Sequence, residues 1–177
     1  MLKALLSAVV ICAAIPAQAG IDFAHMPVGC SWSMKYSDGR TLIETYVGKK
    51  SGSYRTEVAD KRAPDKVISR TYFDKKGRMV RNDWAGGKWE TFNPYSCFGI
   101  AGTCSSTYQN GDGAKFIIDN TTSAAGNGFK VVAAPRGGAP YPDDYFELGQ
   151  FNIQTLSKNR NFSMKLVAFN NCDEPLM

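Results

Sequence analysis

Short runs of alternating apolar and polar residues, separated by turn-forming residues, recur along most of the sequence. In residues 30–36 the large apolar side chains occupy even positions, while serines and Lys35 occupy odd positions. This period of two is typical of a half-buried β-strand. The Asp38-Gly39 pair that follows is a strong hairpin signal, and the β-branched run at 41–47 supplies the second strand. The pattern predicts an antiparallel hairpin.

Similar runs continue to the end of the chain. They occur at 54–58, 67–73, 79–84, 88–92, 105–109, 115–119, 129–134 and 162–169. Turn residues arrive at short intervals, and outside residues 1–19 no long run has the 3.6-residue period of a helix. We therefore predict an all-β fold, an antiparallel meander of about nine to eleven short strands, closed as a barrel or packed as a β-sandwich. Residues 142–151 fit either a short helix or a strand with a bulge near Gly149.

The start of the sequence is typical of a secretory signal peptide. Lys3 precedes an apolar stretch at 4–15, and the small residues at 17–19 form a cleavage pattern. Cleavage after residue 19 removes nineteen of the 177 residues and leaves one β-rich domain at 20–177. The apolar stretch is too short to cross a membrane. We expect an exported protein, periplasmic or secreted, with no transmembrane segment.

The charge of the chain is mildly positive. Removing Lys3 lowers the formal net charge from +5 to +4. Proteins dedicated to nucleic-acid binding gather many phosphate contacts on a strongly basic face, so we expect no nucleic-acid partner.

Four cysteines remain after the predicted cleavage, and an even number in an exported chain predicts two disulfides. Three connectivities are open to them. We favour Cys97–Cys104, because the short loop between them is rich in small residues, and Cys30–Cys172, which ties the two ends of the domain together. The cysteine spacing does not match a zinc site and His25 is the single histidine, so we expect no metal and no cofactor.

Signals for catalysis are weak, and we assign no catalytic residue. The sequence has no nucleophile elbow, no paired zinc-binding histidines and no phosphate-binding glycine loop. Acidic residues are the remaining candidates, in a hydrolase that uses a carboxylate pair. These residues are Asp143, Asp144, Glu147, Asp74 and Asp83.

Basic residues cluster in two of the predicted turns. In an up-and-down meander, the turns at 48–53 and 74–78 lie at the same end. Together they carry Lys49, Lys50, Lys75, Lys76 and Arg78. Such a cluster would attract an anionic partner, such as a lipid phosphate, an acidic glycan or an acidic protein. The alternative is that lysines occupy these turns because turns face water.

Two further features are typical of binding surfaces. Strand parity predicts that Trp89 points inward and that Trp84 lies at the surface, where an aromatic ring beside polar residues suits a sugar or an acyl chain. The segment at 134–144 is rich in proline and glycine and presents Arg136 and Tyr141, which suit recognition.

These observations favour a non-catalytic exported domain, with a binding or structural role, that recognises a component of the cell envelope or a partner protein. The alternative is a β-barrel that carries a lipid or another small apolar ligand in its interior. A hydrolase that uses carboxylates and a secreted inhibitor that presents the 134–144 segment rank below these two.

Overall fold

The computed structural model describes residues 20–93 and 101–173. They form twelve antiparallel strands in a closed barrel, in which each strand pairs with its neighbours in sequence and the last pairs with the first. The strands are β1 (Ser31–Tyr36), β2 (Thr41–Lys50), β3 (Ser53–Asp60), β4 (Ala63–Phe73), β5 (Met79–Trp84), β6 (Trp89–Asn93), β7 (Gly102–Asn110), β8 (Lys115–Ala125), β9 (Gly128–Pro135), β10 (Asp144–Leu148), β11 (Gln154–Lys158) and β12 (Ser163–Asn170). The predicted all-β meander is confirmed as a barrel, with twelve strands rather than nine to eleven.

The segment at 142–151 is a strand and a turn rather than a short helix. Asp144–Leu148 forms β10, and Gln150–Asn152 makes a single 3₁₀ turn. Phe151 and Asn152 have φ angles of 55° and 56°, which no helix can continue. The register between β10 and β11 shifts at Leu148. The extra residue of this shift is Thr155 in β11. Within 142–151 the tight turn at Gln150–Asn152 interrupts the alternation, which explains the ambiguity of the sequence pattern.

The inside of the barrel is polar as well as apolar. Cross-strand partners lie on the same face of a sheet, so the register identifies which positions point inward. Large apolar residues such as Trp32 and Tyr46 share the interior with a set of buried polar side chains. These are Thr56, Ser69, Thr71, Asn82, Ser106, Thr122 and Ser157. The outer face carries ion pairs such as Arg70–Glu57 and Arg81–Asp83.

Residues 20–29, which we call the plug segment, cover one end of the barrel. Phe23 is only 3% exposed, and its ring centroid lies 4.8–4.9 Å from those of Tyr46, Tyr54 and Phe73. The Ile21 amide donates a hydrogen bond to the carbonyl of Gly77 in the β4–β5 turn. We call this end, which also carries the β2–β3 turn, the plugged end, and the opposite one the distal end.

A disulfide joins Cys30, just before β1, to Cys172, just after β12. The predicted pairing of these residues is confirmed, and it fastens the two strands whose pairing closes the barrel. The other predicted pairing, Cys97–Cys104, includes Cys97, which lies outside the described residues. Within residues 20–93 and 101–173, no helix is long and apolar enough to span a membrane.

Candidate functional site

A row of polar side chains follows the inner wall of the barrel over six consecutive strands, β2 to β7, and most neighbours in the row are hydrogen-bonded to each other. At one end of the row, the Thr56 hydroxyl donates a hydrogen bond of 2.5 Å to Oε1 of Glu44. Trp32 pairs in register with Glu44 on the inner face. Burial raises the pKa of Glu44, and the neighbouring Thr56 and Trp32 side chains offset only part of that rise.

Thr56 pairs in register with Thr71, and from there the row continues across the next three strands. The Thr71 hydroxyl donates to the amide oxygen of Asn82 over 3.2 Å, and Nδ2 of Asn82 donates to Oε1 of Glu90 over 3.3 Å. The Tyr108 hydroxyl donates to Oε2 of Glu90 over 3.2 Å. Both oxygens of the Glu90 carboxylate are therefore held in place. We call this set the polar row; its members are Glu44, Thr56, Thr71, Asn82, Glu90 and Tyr108.

The polar row ends in a pocket at the distal end, which we call the distal pocket. It has a volume of about 280 Å³ and lies between the β5–β6 and β7–β8 turns. Its lining includes Trp84, Lys88, Trp89, Glu90, Tyr108, Asn110 and Asp112. Trp84 lies on the inner face of β5, in register with Ser69. It is nonetheless 46% exposed to solvent. It is the last residue of β5, where the barrel wall ends.

The chemistry of the distal pocket favours a polar ring over an anion. Trp84 and Tyr108 supply aromatic surface, and Glu90 supplies an oriented hydrogen-bond acceptor. Two carboxylates, those of Glu90 and Asp112, outnumber the single cation of Lys88 in the lining. Aromatic surface beside a few fixed polar groups is typical of small-molecule sites.

The two tryptophans lie on faces opposite to those that the sequence parity predicted. Trp89 pairs in register with Asp83 on the outer face, and the Arg81 guanidinium lies 5.3 Å from its ring centroid. The prediction that Trp89 points inward is therefore wrong. Trp84 is exposed as expected, although it belongs to the inward parity. The parity was misread because Asn82, which is buried inside the barrel, has the polarity of a surface residue.

A second cavity, which we call the plug cavity, lies between the plug segment and the barrel wall. It has a volume of about 300 Å³ and is lined by Gly20, Ile21, Glu44, Thr71, Phe73, Gly77, Arg78, Met79 and Gln154. The carboxylate of Glu44 and the guanidinium of Arg78 are the charged groups in this lining.

The basic turns lie together at the plugged end, but their charges are not equivalent. Tyr54 at the start of β3 pairs with Phe73 at the end of β4, which brings the two turns side by side. Arg78 forms an ion pair of 2.5 Å with Asp74, and the ammonium of Lys49 lies 4.7 Å from the ring centroid of Tyr54. The exposed lysines of the turns are Lys49, Lys50, Lys75 and Lys76.

Arg136 and Tyr141 differ in their availability. The Arg136 guanidinium holds Asp119 through bonds of 2.7 and 3.0 Å, and it also donates to the Ser105 hydroxyl. Arg136 and Ser105 together lower the pKa of Asp119 to about 2. Tyr141 remains 45% exposed in the segment between β9 and β10. Arg136 therefore fastens three strands together, whereas Tyr141 faces the surface.

The acidic residues singled out for hydrolysis each interact with a neighbour of their own. Asp143 pairs with Lys130 at 2.6 Å, Asp144 accepts from Asn159, and Glu147 accepts from Tyr145. Asp74 and Asp83 pair with Arg78 and Arg81. Among the described residues, no three histidine, cysteine or acidic side chains form a group that could hold a metal ion.

The sequence analysis did not single out Glu44 or Glu90 as functional residues. The sequence does contain a signal for them. Glu44 has the same strand parity as the apolar Leu42 and Tyr46, and Glu90 has the same parity as Phe92. A carboxylate on the apolar parity of a strand indicates a polar interior.

Comparison of the chain with protein-family models, with curated proteins and with solved structures finds no match.

Proposed function

We propose that the protein is an exported, non-catalytic binding domain whose distal pocket recognises a sugar of the cell envelope. The observation that supports this proposal is the position of Trp84. This large aromatic side chain is exposed at the end of the barrel wall, beside a carboxylate whose two oxygens are already oriented by Asn82 and Tyr108.

A sugar matches both parts of this arrangement. The apolar face of a pyranose ring packs against an aromatic ring, and its hydroxyl groups donate to a fixed carboxylate. The row behind Glu90 holds that carboxylate before the ligand arrives, which reduces the entropy lost on binding. The excess of acidic groups over Lys88 favours a neutral or amino sugar over an acidic one.

The interior offers less support for an apolar cargo. Phe23 fills the plugged end, and the carboxylates of Glu44 and Glu90 belong to a row that follows the inner wall of the barrel. An apolar ligand in contact with them would remove their water without replacing its hydrogen bonds. A carrier would nonetheless retain a lipid through purification, so a native mass spectrum with a lipid-sized increment would favour that function.

The test is a binding screen with soluble oligosaccharides of glucose and of N-acetylglucosamine, followed by tryptophan fluorescence and NMR. We expect Trp84→Ala to weaken the binding at least tenfold, which corresponds to about 1.4 kcal/mol. Trp84→Phe should retain part of the affinity. The matched control is Tyr72→Ala on the outer face of β4, where Tyr72 pairs in register with Arg81. The proposal fails if no oligosaccharide binds at millimolar concentration, or if Trp84→Ala binds as well as Tyr72→Ala does.

The exposed lysines at the plugged end are a second candidate surface, for an anionic partner. Two adjacent turns present them, and Arg78 in the second turn is neutralised by Asp74. Sedimentation with vesicles that contain phosphatidylglycerol would test this surface. We expect Lys75→Glu with Lys76→Glu to abolish co-sedimentation, and Lys115→Glu with Lys165→Glu, elsewhere on the barrel, to preserve it. Equal effects of the two pairs would exclude a specific basic surface.

A further inference from the structure

Gly20 occupies a tightly packed position in the plug cavity. It is buried, and its carbonyl accepts a hydrogen bond of 3.1 Å from Nδ2 of Asn152. A Cβ at this position would lie 2.3 Å from the carbonyl oxygen of Lys76, and the φ angle of 145° also favours glycine. The residue that follows the predicted cleavage point is therefore fitted to the wall of this cavity.

Glu44 lines the same cavity, and the two side chains that stabilise its charged form are both neutral. They are the hydroxyl of Thr56 and the side chain of Trp32. Arg78, the other charged residue in the lining, has its guanidinium bound by Asp74 on the opposite side of the β4–β5 turn. A half-buried carboxylate inside the barrel, with neutral groups around it, favours the arrival of a cation.

We infer that cleavage between Ala19 and Gly20 creates an α-ammonium group that occupies the plug cavity and forms an ion pair with Glu44. The reaction is hydrolysis by an endopeptidase. Water adds across the peptide bond, the Ala19 carbonyl becomes a carboxylate, and the Gly20 nitrogen leaves as an amine that takes up a proton. This inference rests on the cleavage in the proposed function, and it is independent of sugar binding.

The ion pair would connect processing to the closure of the barrel. Before cleavage, the Gly20 nitrogen is a neutral amide and brings no charge to the cavity. After cleavage, its ammonium supplies the opposite charge that Glu44 lacks, and it ties the plug segment to β2. The processed chain would then hold its plug more firmly than an uncleaved or extended one.

A double-mutant cycle on the exported protein tests the pair. The first change inserts one serine between Ala19 and Gly20, which moves the new ammonium away from the cavity. The second change is Glu44→Gln. We expect each change alone to lower the urea midpoint, and the two together to lower it by clearly less than the sum. Additive effects would overturn the inference. The control cycle uses Glu90→Gln with the same insertion, for which additivity is expected.

A second measurement serves if a variant does not fold. The pKa of the α-amino group is followed by NMR in the exported wild-type protein. An ion pair raises it above the ordinary value of about 8. Stability from this pair would be present below the unfolded value and lost as the pH rises through the raised one. An ordinary pKa in the folded protein would overturn the inference.

The mass of the exported protein distinguishes a failure of the predicted cleavage from a failure of the ion pair. A mass that begins at Gly20, combined with an ordinary amine pKa, would overturn the ion pair and leave the cleavage standing. A mass that begins elsewhere would overturn the cleavage and the ion pair together. Neither result changes the outcome of the oligosaccharide screen.

Discussion

The hydroxyl of Thr56 on β3 donates a hydrogen bond of 2.5 Å to the carboxylate of Glu44 on β2, inside the barrel. Thr56 is fully buried, so water cannot replace this donor. Thr56→Val keeps the shape of the side chain and removes the hydroxyl. We expect it to lower the free energy of unfolding by about 1–3 kcal/mol, because the half-buried carboxylate loses a fully buried donor. Urea unfolding followed by tryptophan fluorescence measures the change.

The matched control for this variant is Thr45→Val on the outer face of the same hairpin. It should change stability by less than about 0.5 kcal/mol, as surface substitutions usually do. Thr56→Ser, which keeps the hydroxyl, should lie between the wild type and Thr56→Val. If Thr56→Val and Thr45→Val are equally stable, the bond does not contribute to stability.

Phe23 holds the plug segment in the barrel through three aromatic neighbours. We expect Phe23→Ala to cost about 3–5 kcal/mol, because it removes a large buried ring and leaves a cavity. Val28→Ala in the same segment is the control, since Val28 is 68% exposed. Equal urea midpoints for the two variants would contradict the position of Phe23 in the core.

The Cys30–Cys172 disulfide closes a loop across a sequence separation of 142. In the chain-entropy model, such a link stabilises the folded state by about 5 kcal/mol. We expect Cys30→Ser with Cys172→Ser to lower the melting temperature markedly. Mild reduction of the wild type, verified by mass spectrometry, should reproduce the loss. An unchanged melting temperature would show that the barrel closes without this link.

The pair of Arg136 and Asp119 predicts a specific pH response. Arg136 lowers the pKa of Asp119 to about 2, from an ordinary value of 3.8. A carboxyl group with a lowered pKa contributes stability above its unfolded value and loses it as the pH falls through the folded one, here between about 4 and 2. Arg136→Ala should return the pKa of Asp119 toward its ordinary value in a carboxyl-carbon NMR titration. A pKa that stays near 2 would assign the shift to the other bonded neighbour, Ser105.

Much of the fold could be predicted because its first hairpin follows simple rules. The alternation in β1 and the Asp38-Gly39 turn indicate the hairpin directly, and the paired cysteines indicate where the chain ends meet. The last strands were harder to predict, because the turn at Gln150–Asn152 and the extra residue Thr155 in β11 shift the parity on which strand prediction depends. Local pattern alone also does not distinguish a barrel from a sandwich, since both use the same alternation.

The site was harder to predict than the fold, for one physical reason. Assigning strand faces by polarity assumes an apolar interior, whereas this interior contains Glu44, Asn82 and Glu90. The assumption placed Asn82 outside and exchanged the faces of Trp84 and Trp89. Arg136 was predicted to serve recognition. Its partner, Asp119, lies on a neighbouring strand, and only the strand register reveals that pairing.

Among the described strands, every pairing except β1–β12 joins strands that follow one another in sequence. The barrel is therefore a series of hairpins that is closed by the β1–β12 pairing, which we call the seam. The disulfide spans the seam with Cα atoms 4.4 Å apart. Each hairpin closes a short loop of chain. The seam closes a loop that contains nearly the whole domain, so its formation costs more conformational entropy. If the seam parted, β1 and β12 would become unpaired edges that can accept a strand from another molecule. We therefore expect the Cys30–Cys172 disulfide to oppose self-association as well as unfolding.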